Sequence, residues 1–157
     1  MPEPLVGEIV PDFALFSTTG TRVRVSDYRG KCNLVLIFCG TGCCELVRSL
    51  VGELSGMYAD FVAEEAELFA VVQGADREAE DFRRSCDPPF PVLADKEGHG
   101  HDFFGAPASE QDSLPVICVV DRYGEVWQVF RAVDSEASCA ARDILDWVRY
   151  INLECPE

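Results

Sequence analysis

Hydrophobic positions along the chain follow two rhythms. Residues 34–38 read LVLIF and residues 67–72 read ELFAVV, nearly unbroken apolar runs that predict strands covered on both faces in a parallel sheet. A third run, residues 115–121 (PVICVVD), predicts another strand, and a turn at 121–124 joins it to the alternating segment 125–130 (EVWQVF) as an antiparallel hairpin at the sheet edge. Near the start, residues 11–16 (PDFALF) and 21–25 (TRVRV) flank a turn at 18–21 and predict an N-terminal hairpin.

Elsewhere a helical rhythm takes over. Leu46, Leu50, Leu54, Met57, Tyr58 and Phe61 make one apolar stripe, which predicts a helix of about four to five turns with Cys43 and Cys44 at or near its N-terminus. Residues 76–84 predict a second helix with Asp76 as its N-cap, and Ile144, Leu145, Val148 and Ile151 predict a closing helix over residues 138–151. Residues 86–95 (CDPPFPVLAD) are too proline-rich for a helix, and a glycine- and histidine-containing loop follows at 96–101. Strand, helix, strand, helix implies a right-handed parallel crossover. With no internal repeat and no linker, residues 1–157 are expected to form a single domain. Its class is α/β, with an N-terminal β-hairpin and a central mixed sheet flanked by helices.

Composition narrows the functions. At 157 residues and 48% hydrophobic the chain can bury roughly two-thirds of its unfolded surface. Acidic residues outnumber basic ones 28 to 13, a net charge of -15, so its mean field repels phosphate backbones and anionic lipid; neither nucleic acid nor a membrane surface is expected as a partner. No apolar run approaches the roughly 18 residues of a membrane span, and residues 1–8 lack a basic stretch leading into an apolar core, so a cytoplasmic protein is expected. The eight cysteines follow no even framework and are expected as reduced thiols, with Cys118 inside VICVV reading as a small hydrophobe. No cofactor is expected, for there is no glycine-rich phosphate loop. No metal is expected either: Cys39, Cys43 and Cys44 with His99 or His101 do not make a standard zinc spacing.

What remains is thiol chemistry. A cysteine at a helix N-terminus meets the positive end of the helix dipole and unpaired N–H groups, which favour thiolate. Cys43 and Cys44 compete for that position, and Glu45 beside them opposes it by like charge.

Seven phrases in order, VPDF (10–13), VSDYRG (25–30), LVLIF (34–38), FAVV (69–72), PFPVLAD (89–95), FG (104–105) and VVDRYG (119–124), resemble the alkyl hydroperoxide reductase and thiol-specific antioxidant family over about residues 6–151. The resemblance implies a thioredoxin-like fold and a thiol-dependent redox protein that reduces peroxides or exchanges thiols. A small-molecule peroxide or thiol would be its substrate, a thioredoxin-type protein its reductant, and a homodimer an option. It favours Cys44. With Cys44 first in a C-x-x-C-R-x-x-L pattern, Arg48 falls on the arginine, and Thr41 falls on the threonine of P-x-x-x-T-x-x-C. Pro115 resembles the cis-proline that thioredoxin-fold proteins pack against the active cysteine.

The departures are specific. Leu46 or Val47 stands where a C-x-x-C motif has its second cysteine, Ile37 where the family has proline, and Pro115 where it has an arginine, leaving Arg48 and Arg131 as candidate cations. The candidate resolving thiols are Cys39 or Cys43 nearby, Cys86 on the second crossover helix, and Cys155 in the tail, whose ECP resembles a resolving motif supplied by a partner subunit. Adjacent Cys43 and Cys44 could pair only through a strained ring. The rival expectation is a catalytically degenerate binding or regulatory module on the same fold.

Overall fold

The computed structural model describes residues 6–10, 12, 14–40, 45–98, 100, 115–131 and 141–154. β3 (Asn33–Phe38) and β4 (Ala66–Gln73) run in parallel, in register from Asn33 opposite Ala66 to Phe38 opposite Val71, and β4 pairs in parallel with β5 (Val92–Asp95). On the other side of β3 lies antiparallel β6 (Val116–Val120), which turns into the edge strand β7 (Val126–Arg131). The predicted N-terminal hairpin, β1 (Ala14–Ser17) and β2 (Arg22–Arg24), adds antiparallel to β5. Among the described residues this makes one mixed sheet in the order β2-β1-β5-β4-β3-β6-β7.

Period-two alternation in β3 divides the core. Val35, Ile37 and Cys39 face a cluster built with α1 (Glu45–Gly56), α2 (Tyr58–Ala63), α3 (Asp76–Cys86) and α4 (Ala141–Glu154), while Leu34, Leu36 and Phe38 face a second cluster with Val10, Val25 and Cys118. Both faces of β3 are therefore dry, which is why its sequence reads as an apolar run and not an alternation. Full burial of each such side chain is worth about 1.5–3 kcal/mol. No helix among the described residues is long and apolar enough to cross a membrane.

Three local expectations need correction, and one stretch left open resolves into a strand. The stripe from Leu46 to Phe61 is carried by two helices, broken at Met57 after Gly56; glycine favours a helix end, and Ser55 Oγ donates back to the Val51 carbonyl at 2.7 Å. α3 is capped at Ala75, whose N–H donates to Glu78 Oε1 at 3.0 Å, so Asp76 is a first-turn residue and pairs with Lys96. The proline-rich stretch contains β5: the prolines end at Pro91, whose carbonyl accepts from Ala70 N–H at 3.1 Å, and the ladder starts one residue later. The closing helix runs to Glu154, three residues past its apolar stripe, because Asn152 is held by tertiary bonds described below. Just past α2, Glu64 and exposed Glu65 pair with Arg149 and Arg122 at 3.3 Å each.

Candidate active site at the carboxyl end of the parallel strands

The topology brings the carboxyl ends of β3, β4, β5 and β7 to one end of the sheet together with the start of β6. At the end of β3, Cys39 N–H donates to the Val71 carbonyl at 2.9 Å, and Gly40 then adopts φ 72°, a left-handed conformation suited to glycine, while its carbonyl accepts from Gln73 N–H at 2.8 Å. Thr41, Cys43 and Cys44 follow and lie outside the described residues, as does Cys155. The described part of α1 begins at Glu45, which directly follows Cys44 in sequence. Glu45 is exposed.

Around that point several of the other candidates converge. Pro115, buried, leads into Val116, which pairs with Phe38; Leu114 and the bond preceding Pro115 lie outside the described residues. Arg131 comes to the same end through the backbone pairing of β7 with Val116. Arg48, in the first turn of α1 and exposed, donates from Nη1 to Ser85 Oγ in the last turn of α3. Cys86 is next to Ser85, half-buried against the helix-side core cluster, and Asp87 closes α3 in a left-handed conformation.

Three features at this end were not singled out from sequence. Asp95 is almost wholly buried, and its carbonyl accepts from Gly74 and Gly98 N–H groups at 3.2 Å each. Gly100 lies so close that a Cβ there would stand 3.1 Å from Asp95 Oδ2 and 3.5 Å from the Phe38 ring, which folds the loop after β5 over the end of β3. The buried Gln73 Oε1, without a hydrogen-bond partner among the described residues, sits beneath Gly98. Their signal is the polar residue that ends each of the buried strands β4 and β5 and the glycines of the loop that follows. A cleft of about 260 Å³ opens alongside, lined by Leu15, Phe16, Ala94, Asp95, Lys96 and Gly100.

The other thiols divide by position. Cys39 is 3% exposed and packed in the core, with its Sγ donating to the Ile37 carbonyl. Cys118 is fully buried in the opposite cluster. Cys32 lies at the far end of β3, half-buried, and burial first and the Glu67 charge second push its thiol up from the ordinary range. None of these three is placed as an accessible thiol.

With this arrangement in view, the model of the AhpC/TSA family matches residues 6–129. The chain belongs to the AhpC/TSA family. Among its relatives, thiol-disulfide oxidoreductase ResA of Geobacillus kaustophilus (strain HTA426) is 32% identical over 127 residues, covering 79% of this chain and 68% of that protein. Thioredoxin-like protein YneN of Bacillus subtilis (strain 168) is 27% identical over 78% of this chain and 69% of its own length. Solved structures of the same fold include peroxidoxin BcpB from Mycobacterium tuberculosis, with a TM-score of 0.80 at 22% identity over 95% of this chain and 99% of that one. AhpC of Enterococcus faecalis also has a TM-score of 0.80, at 18% identity over 98% and 99%. This AhpC/TSA protein thus has the thioredoxin-like peroxiredoxin fold that its phrases resemble.

Proposed function

We propose that Cys44 is the nucleophile of this AhpC/TSA protein. Family and relatives support thiol-dependent redox function as the class. The observation that carries the choice of residue is the join between Gly40, at the carboxyl end of β3, and Glu45, where the described part of α1 begins: Cys44 directly precedes Glu45 in sequence, at the positive end of the helix dipole. In this reading the Cys44 thiolate attacks a peroxide oxygen, the O–O bond breaks, the leaving alkoxide takes a proton, and Cys44 becomes a sulfenic acid. Thr41 and backbone N–H groups bind the oxygen, Arg48 favours the thiolate, and Pro115 backs the sulfur. A disulfide can replace the peroxide as electrophile, in keeping with the names of the relatives, but Leu46 and Val47 supply no second sulfur in a C-x-x-C.

Cys86 is the favoured resolving thiol. Its helix end is tied to the first turn of α1 through Ser85 and Arg48, whereas Cys39 is sealed in the core. Attack of Cys86 on the sulfenic acid forms an S–S bond and releases water, and a thioredoxin-type reductant restores both thiols. The helix that leads to Cys155 ends at the opposite end of the sheet. Asn152 is bonded to Asn33 at the start of β3, about 20 Å of strand away from Cys39, and three residues span at most about 11 Å. A disulfide through Cys155 therefore calls for a second copy, the one route by which a homodimer enters this reading. We place the chain, acting as one domain, in the cytoplasm, where thiols such as Cys32 and Cys118 stay reduced.

Peptide mass spectrometry after one equivalent of hydrogen peroxide and a sulfenic-acid trap tests this. The expected products are trapped Cys44 and, without the trap, a Cys44–Cys86 disulfide within one chain; a disulfide-linked dimer through Cys155 would move the resolving role there. An unchanged mass of the reduced protein would refute Cys44 as nucleophile and leave the fold as a binding module.

A further inference from the structure

Arg48 differs from five of the chain's arginines in the partner it has, and shares a neutral oxygen acceptor with Arg29, which donates to the Val10 carbonyl at 3.0 Å. In a protein with 28 acidic residues, Arg24 pairs with Asp12, Arg83 and Arg84 with Glu80, Arg122 with Glu65 and Arg149 with Glu64. Arg48 donates instead to a neutral hydroxyl, Ser85 Oγ, and among the described residues no carboxylate stands within ion-pair distance of it. A hydroxyl oxygen fixes a guanidinium in place without cancelling its charge. Side chains on a helix lie over the turn N-terminal to their own Cα, so a residue in the first turn covers the helix start. The guanidinium of this first-turn residue is thus anchored to the last turn of α3, and among the described residues no carboxylate cancels its charge.

We propose that Ser85 is a positioning residue, which holds Arg48 as an uncompensated cation over the first turn of α1 and so sets the thiolate population of the nucleophile. This rests on the reading of Cys44 as that nucleophile. Glu45, exposed in the same turn, acts against thiolate formation, and the opposing charge near it must be held in place to have effect. An arginine released to solvent spreads its charge over many rotamers and is screened; one held by a strut acts at a fixed point. Carboxylate at position 85 would cancel the charge, and alanine would release it. Serine does neither.

The test is the rate of iodoacetamide alkylation of Cys44 in the full chain from pH 5 to pH 9, read by peptide mass spectrometry for wild type, S85A, R48Q and S85A/R48Q. Ser85 is exposed, so S85A is expected to fold, and far-UV circular dichroism checks that it does. S85A should slow labelling at pH 6 by about two- to five-fold, as an exposed charge near a helix end would, and should displace the rate profile to higher pH. R48Q should do at least as much. In the R48Q background S85A should then change nothing, because Ser85 acts through Arg48. An S85A profile that superimposes on wild type overturns the proposal, as does a slowing by S85A that persists in R48Q. If wild-type Cys44 labels no faster below pH 7 than Cys32, the nucleophile reading itself is at fault and the role of Ser85 falls with it.

Discussion

Tyr58 opens α2 with its hydroxyl donating to Glu67 Oε1 at 2.8 Å and its ring 5.8 Å from that of Phe90. Burial first, and the bond to Glu67 second, push the phenol from 10.0 up to about 12. The protonated phenol is the neutral form, and its pKa is higher in the folded chain than in the unfolded one. Its contribution is therefore complete below pH 10 and lost as pH rises toward 12. Y58F is expected to cost about 1–2 kcal/mol at pH 8, the worth of a hydrogen bond to a charged acceptor. Urea midpoints of wild type and variant should converge between pH 10 and 12; a constant gap would show that the bond to Glu67 does not set this titration. At this same scale the candidate site was partly legible. Cysteine and arginine announce themselves by type, so Cys44, Arg48 and Cys86 could be named from sequence. Ser85 could not, because a serine in a polar helix end has no periodicity or charge to mark it, and its role depends on which helix lies opposite.

The turn joining β6 to β7 depends on one carboxylate. Asp121 is 3% exposed; its Oδ1 accepts from the N–H groups of Tyr123 at 2.8 Å and Glu125 at 3.0 Å, and its Oδ2 accepts from Trp127 Nε1 at 2.7 Å. D121A would strand three donors and is expected to destabilise by about 2–4 kcal/mol, seen as a lower urea midpoint with the slope unchanged. A loss under about 0.5 kcal/mol would mean that water replaces the carboxylate. This hairpin was legible because turn residues separate two apolar runs. The buried strands β3, β4 and β6 were legible for the same reason. β5 was hidden by the prolines before it, since proline excludes a ladder position only where it stands and not one residue later. The division at Met57 was hidden because the apolar stripe continues across it, and the last turn of α4 because Asn152 is helical through its partners in β3 and after α2.

The molecule as a whole has two unlike ends. At one, β4 and β5 terminate in Gln73 and Asp95, Gly40 follows β3, and the loop after β5 crosses over; at the other, polar side chains lock elements together. There Asn33 Nδ2 and Arg122 donate to Asn152 Oδ1, and Asn152 Nδ2 donates to the Glu64 carbonyl at 2.8 Å. Over both ends lies a net charge of -15, which was legible from composition alone. Self-repulsion of that size opposes compaction, and salt relieves it as the Debye length falls from about 30 Å at 0.01 M to about 8 Å at 0.15 M. The thermal midpoint should rise by a few degrees over that range of sodium chloride, and a midpoint that falls would mean that the ion pairs of Arg24, Arg83, Arg122 and Arg149 outweigh the repulsion. The lock around Asn152 also has a practical use. A linker joined after α4 leaves the body on the side away from Gly40, so attachment to a chip or bead at that end would leave the candidate site facing the solution.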